Sequence, residues 1–280
     1  MPPKVSEYMS SPVIAANPSD NLAHVRRLMI RHDIGCIVVV DSEGKPLGII
    51  TKRDFIKIAV DRNLSTRPLD TILARELLNT KFPILDPNDN IVDAARILLR
   101  ERSHYGIVVS EGRVQGILSS TDLVRAYAER YEGKARVRDY MSHEVPVADR
   151  THTIHYVAEL MSQSKHCRVI IVDGDKPIGI ITETDLAFME VPRRTEDKPY
   201  RKSVGQTPRG HVGVLRFYTI PLAEDLMTSD LITINADEDL ASAARIIVDE
   251  GIGGLPVVDS EGKLIGLITR VEILKALSEM

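Results

Sequence analysis

Val39–Asp54 reads VVDSEGKPLGIITKRD, and Val257–Glu272 reads VVDSEGKLIGLITRVE. Two weaker copies lie between them, VVSEGRVQGILSSTD at Val108–Asp122 and IVDGDKPIGIITETD at Ile171–Asp185. Their anchoring glycines, Gly48, Gly116, Gly179 and Gly266, are 68, 63 and 87 residues apart. Self-similarity at a recurring spacing is the mark of a repeat architecture. The longer last interval holds an insert.

Working upstream, each copy carries a short apolar strand, a polar cap and an amphipathic helix. Ser19 and Asp20 precede Leu22, Val25, Leu28 and Met29, an i, i+3, i+6, i+7 stripe that defines one helical face. The same offsets hold Ile91, Ala94, Ile97 and Leu98, then Ile154, Val157, Leu160 and Met161, then Leu240, Ala243, Ile246 and Ile247. Apolar runs follow each helix (Cys36 to Val40, Gly106 to Val109, Val169 to Val172, Leu255 to Val258), then a Gly/Asp/Ser-rich turn and a second run, which predicts a hairpin. A short helix is expected after Asp54, Asp122, Asp185 or Glu272. Each unit is therefore strand, helix, strand, strand, helix, an α/β class. One such small sheet leaves an apolar face uncovered, so units should pair. The predicted units are residues 5–60, 74–129, 137–190 and 223–279, with a basic insert at 191–222. Copies one and two are expected to form one pair, copies three and four the other.

Composition narrows the function classes. Hydrophobic residues make up 43% and aromatic residues 4% with no Trp, so the core must be aliphatic. A formal net charge of −4 argues against a whole-surface nucleic-acid binder. Cys36 and Cys167 each sit in an apolar run and read as buried free thiols. No stretch is apolar enough for a membrane helix, and MPPKVSEYMSSP lacks a secretory core. A cytoplasmic protein without a membrane partner is expected.

Chemistry concentrates in one recurrent pattern: Gly, two apolar residues, Thr or Ser, two variable residues, then an acid. It reads Gly48–Thr51–Asp54, Gly116–Ser119–Asp122, Gly179–Thr182–Asp185 and Gly266–Thr269–Glu272, at each strand-to-helix junction. A hydroxyl at a helix cap with an acid three residues on satisfies orphan N–H groups. The same residues suit a ligand, because helix-start N–H groups and a hydroxyl favour an anionic group and a carboxylate accepts from two vicinal ribose hydroxyls. The residues alone leave both readings open.

The units resemble cystathionine-β-synthase (CBS) domains, whose signature includes this Gly-x-x-Thr/Ser-x-x-Asp ending. Two such domains form a Bateman module, and four in one chain are similar to the gamma subunit of AMP-activated kinase and to archaeal stand-alone CBS proteins. The resemblance implies two Bateman modules in a disc-like assembly that binds AMP, ADP or ATP as a regulatory sensor, with no cofactor required. S-adenosylmethionine or NAD derivatives fit the same logic. It implies that Thr51, Ser119, Thr182 and Thr269 contact phosphate or ribose, and that Asp54, Asp122, Asp185 and Glu272 hold the ribose. Adenine would lie against the first strand, at Ile14 and Ala15, Pro83 and Ile84, Pro146 and Val147, and Ile232 and Thr233. The family often supplies Arg or His just before the second strand; here His166 and Arg168 flank Cys167, and copy two offers His104. Copies one and four carry Gly35 and Gly253–Gly254 there, where Lys52, Arg53 and Arg270 would substitute. Glu272 is one methylene longer than its counterparts, which ranks the fourth site last.

No Walker loop, dinucleotide fingerprint or zinc-protease helix appears, and His143, His152 and His155 lack metal spacing, so neither a catalytic residue nor a metal site is assigned. The chain reads as a non-enzyme, monomer or homodimer, whose ligand state is passed to an unidentified regulated protein. The alternative is a scaffold, or nucleic-acid binding through the insert. There Arg193, Arg194, Lys198, Arg201, Lys202, Arg209 and Arg216 face only Glu196 and Asp197, with Tyr200, Phe217 and Tyr218 interleaved.

Overall fold

The computed structural model describes residues 2–60, 64, 66–164, 166–188 and 221–280. The basic residues and aromatics of the insert lie outside the described residues.

Copy one comprises α1 (Val5–Tyr8), β1 (Ala15–Ala16), α2 (Leu22–His32), β2 (Cys36–Val40), β3 (Pro46–Thr51) and α3 (Lys52–Val60). Copy two repeats this order with α4 (Ala74–Leu77), β4 (Ile84–Leu85), α5 (Ile91–Arg100), β5 (Tyr105–Ser110), β6 (Arg113–Ser119) and α6 (Ser120–Arg130). Copy three has α7 (Val137–Tyr140), β7 (Val147–Asp149), α8 (Ile154–Gln163), β8 (Arg168–Asp173), β9 (Lys176–Thr182) and α9 (Glu183–Phe188). Copy four has α10 (Ala223–Leu226), β10 (Ile234–Asn235), α11 (Leu240–Asp249), β11 (Gly254–Val258), β12 (Leu264–Thr269) and α12 (Arg270–Ser278). The fold is α/β with four CBS-type units. No helix among the described residues is long and apolar enough to cross a membrane.

Each copy builds a three-stranded sheet with its strands in sequence order. In all four copies the opening strand runs parallel to the second, which its helix makes reachable, and in the first three the hairpin partner is antiparallel. The continuous apolar runs reflect strands covered on both faces. Ile37 and Val39 face their own copy's core around Leu22 and Val25, whereas Cys36, Val38 and Ile49 pack with Ile107 of copy two. That second cluster is the contact between the paired sheets of copies one and two.

Two local details differ from the sequence reading. The cap of α2 is Asn21, whose side chain accepts from His24 N, one residue past the expected Ser19–Asp20; Asp20 instead accepts from Asn17 N at 2.7 Å. The last helix of each copy begins directly after the Thr or Ser, so the acid sits inside its first turn rather than ahead of it.

By compactness the chain forms two units. The first holds residues 1–143, 233–261 and 265–280; the second holds 144–232 and 262–264. Within the first, helices of copies two and four share one core in which Ala94, Ala95, Ala126, Ala243, Ala244 and Ala276 are fully buried. Such small side chains let helices approach closely.

The four short helices α1, α4, α7 and α10, which the sequence reading missed, are straps laid on another copy. Val5 N donates to Asp89 O and Ser10 N to Ile117 O, so α1 belongs to copy two's core; Ala74 N donates to Asp20 O, which ties α4 to copy one. Val137 N donates to Glu238 O, placing α7 on copy four within the first unit. Ala223 N donates to His152 O, placing α10 on copy three within the second. The straps explain the signature glycines. A Cβ on Gly48 would lie 2.6 Å from Asn79 O; on Gly116, 2.5 Å from Met9 Sδ; on Gly179, 2.6 Å from Met227 Sδ; and on Gly266, 2.8 Å from Met141 Sδ. The glycine makes room for the neighbour's strap, a packing role.

Candidate functional site

In every copy the hydroxyl and the acid hold each other. Thr51 Oγ1 and N donate to Asp54 Oδ2 at 2.7 and 2.9 Å, Ser119 Oγ and N to Asp122 Oδ2 at 2.6 and 2.8 Å, and Thr182 Oγ1 and N to Asp185 Oδ2 at 2.7 Å each. Thr269 makes the same pair of bonds to Glu272 Oε2. The capping bonds are therefore made entirely within each copy. A ligand would use the remaining acceptor capacity of each carboxylate, since each oxygen carries two lone pairs.

Around this shared cap the copies differ. In copy four Thr269 is 4% and Glu272 2% exposed, and Lys275 Nζ donates to the other Glu272 oxygen at 3.4 Å. In copy two Asp122 is 8% exposed and its Oδ1 accepts from Arg125 at 3.1 Å. Asp54 is likewise buried, while Asp185 and Thr182 are half-buried. The copy-four pair is the one closed off on both partners.

The first-strand residues sort by register. Ala15 pairs with Val38, Ile84 with Ile107 and Val147 with Ile170, and the equivalent position in copy four is Thr233, ahead of β10. All four point outward, whereas the next residues, Ala16, Leu85, Ala148 and Ile234, are buried. Only copies two and three put a large apolar side chain there, Ile84 at 58% and Val147 at 44% exposure. Single exposed apolar side chains are ordinary on a protein surface, so Ile84 and Val147 bear on a ligand only together with the hydroxyl–aspartate pair and the basic residue of their own copies. Of the preceding residues, Pro83 is buried, Ile14 and Pro146 half-buried, and Ile232 exposed.

The basic candidates are brought to the same helix starts by backbone bonds. Ser120 N donates to His104 O, Glu183 N to Cys167 O and Lys52 N to Gly35 O, so the residue before the second strand sits beside the start of the last helix. His104 Nδ1 lies 3.4 Å from Ser120 Oγ, and Arg168 Nε donates to His166 O at 3.0 Å. Lys52 and Arg53 are exposed on the first turn of α3. Arg270 does not stay with its own copy: its Nη1 donates to Thr121 Oγ1 of copy two at 2.9 Å. Tyr105, absent from the sequence-based candidates, joins this region; its hydroxyl would sit 2.3 Å from a Cβ on Gly35. Burial pushes the Tyr105 pKa up to about 12 and pulls that of Arg270 down.

The cysteines form no disulfide; Cys36 is buried but Cys167 is half-buried with φ +51°, so only the first matches the expected buried thiol. Among the described residues no group of three His, Cys, Asp or Glu side chains is placed to hold a metal ion.

Comparison with known proteins bears on the fold and the family. The CBS-domain family model matches residues 5–61, 74–129, 137–189 and 223–279. Protein MJ1225 of Methanocaldococcus jannaschii is 26% identical over 249 residues, covering 85% of each chain. Its crystal structure, described as that of a candidate archaeal homologue of g-AMPK, superposes with a TM-score of 0.73 at 22% identity, over 98% of this chain and 99% of that one. A conserved protein of Pyrococcus horikoshii gives a TM-score of 0.70 at 22% identity, over 98% and 100% of the two chains. With four in-register units, four family matches and a shared fold along its length, the chain belongs to the CBS-domain family, whose domains are commonly adenosine-ligand-binding regulatory modules.

Proposed function

We propose that the chain is an adenine-nucleotide sensor whose working clefts are those of copies two and three, and that it passes its ligand state to a partner protein. The observation that carries this reading is the coincidence, in these two copies alone, of an exposed large apolar residue with the hydroxyl–aspartate pair and a basic residue. Ile84 pairs with Ile107, which pairs with Ile117, two residues before Ser119. Ile84 and Ser119, which holds the carboxylate, are thus two strand spacings (about 10 Å) and two residues along the strand (about 7 Å) apart, on the order of 12 Å in all, a gap that a base and its sugar can bridge. Copy one has only Ala15 as platform, and copy four has Thr233 beside a buried Thr269–Glu272 pair. The description of MJ1225 as a candidate g-AMPK homologue is consistent with the same reading.

Signalling would follow from linkage. A ligand shifts the arrangement of its flanking copies only by its differential affinity for the two states. Isothermal calorimetry of the full chain with AMP tests the assignment. Asp122→Asn and Asp185→Asn keep a cap acceptor but lose the charge, and each should weaken one binding event roughly tenfold to a hundredfold, the worth of a hydrogen bond to a charged group. An isotherm unchanged in the double variant would overturn the proposal.

A further inference from the structure

We propose that Arg270 serves the copy-two cleft rather than its own, forming with Thr121 and Tyr105 an anion site for the phosphate of the ligand held by Ser119 and Asp122. The inference rests on the nucleotide reading above and sharpens it. The ligand class becomes an adenosine phosphate rather than a neutral nucleoside or the cationic S-adenosylmethionine.

Arg270 opens α12 and stands in copy four's own signature, yet its guanidinium reaches Thr121 Oγ1 at 2.9 Å across 149 residues of sequence. It is only partly exposed, and among the described residues no carboxylate lies within ion-pair distance of it. An arginine does not shed its proton, so a guanidinium withdrawn from water without a counter-ion is a destabilising arrangement that an arriving anion relieves.

The surroundings supply donors. Thr121 accepts from Arg270, which leaves its own hydroxyl proton to give. At the second position of α6, an 11-residue helix, its backbone N–H has no partner inside the helix. The Tyr105 hydroxyl has no hydrogen-bond partner among the described residues and is admitted to this spot because copy one carries Gly35 there. Burial keeps it protonated, and Arg270 is the neighbouring charge that opposes this shift. Asp122, the carboxylate whose charge acts on Tyr105, is engaged by Ser119 and Arg125. A phosphate here would touch copies two and four together, so its binding would favour their packed arrangement.

The test is a double-mutant cycle on the full chain, titrated with AMP and with adenosine. Arg270→Met should weaken AMP binding about tenfold or more while leaving adenosine affinity unchanged, since only the phosphate loses a charge-assisted bond. Retained adenosine binding also certifies that the variant is folded. The AMP effect should shrink when Asp122→Asn is already present and persist beside Glu272→Gln. Coupling to Glu272 instead of Asp122, or equal losses for AMP and adenosine, would place Arg270 in its own cleft or in a packing role and overturn the proposal. If the native chain binds neither compound, the nucleotide reading itself fails. Normal AMP binding that ignores Arg270→Met removes only this inference.

Discussion

Replacing Gly48 by Ala tests the strap arrangement more sharply than any change in the clefts. The new Cβ would lie 2.6 Å from Asn79 O and 2.6 Å from Leu78 Cδ1 and Cγ. Leu78 can swing aside, but Asn79 cannot move freely, because its N and O are both bonded to Ile49 at 3.0 Å. Relief means lengthening that pair of bonds and displacing the strap. Overpacking costs about 1–3 kcal/mol and the pair of backbone bonds about 1–3 kcal/mol, against about 0.4–1 kcal/mol gained from a stiffer unfolded chain, which leaves a net loss centred on about 3 kcal/mol. Gly116→Ala is the control in the same unit. Its Cβ would meet the flexible end of Met9, Sδ at 2.5 Å, and only brush Ser10 O at 3.2 Å, so the net loss should stay below about 1 kcal/mol. Urea unfolding followed by circular dichroism measures both; the midpoint should fall further for Gly48→Ala at unchanged slope. If Gly116→Ala proves equally or more damaging, the explanation of the signature glycine by strap clearance is wrong.

Other changes probe the core and its titration. The Tyr127 hydroxyl is buried without a hydrogen-bond partner among the described residues, so Tyr127→Phe should stabilise the first unit by about 1 kcal/mol; a lower denaturation midpoint would mean that the hydroxyl is satisfied. Tyr105 has a folded pKa of about 12 against 10.0 for the exposed group, so the stability it contributes is complete below pH 10 and is lost as pH rises towards 12. Tyr105→Phe should therefore show a shallower alkaline loss of stability than the native chain, and identical slopes would contradict the burial of this phenol. Burial raises the Cys36 thiol well above the usual range, so a thiol-reactive probe at neutral pH should label the half-buried Cys167 first, read by peptide mass spectrometry.

How much of this was written locally can be judged residue by residue. The helical stripes, the hairpins and the hydroxyl–acid pairs depend on neighbours within a few positions, and each appears where the pattern put it. The first-strand positions also follow the register, because a two-residue period leaves no choice of face once the next residue is buried. The straps were missed because a four-residue helix carries too little periodicity to announce itself, and its apolar residues satisfy a core that lies elsewhere in the chain. The inequality of the four clefts was half legible: Glu272, Ala15 and Thr233 are visible as departures, but their burial is not.

The sequence by itself determined the repeat, the order of elements in each unit and the chemical type of each cap, since these arise from short-range periodicity and hydrogen bonding. The tertiary structure alone decided which copy each side chain serves. Arg270 lies beside Thr121, and Tyr105 against Gly35, through contacts between copies that no local period encodes. Only the packing of whole units, driven by burial of their sheet faces and alanine-rich helices, sets which side chains end up at one helix start.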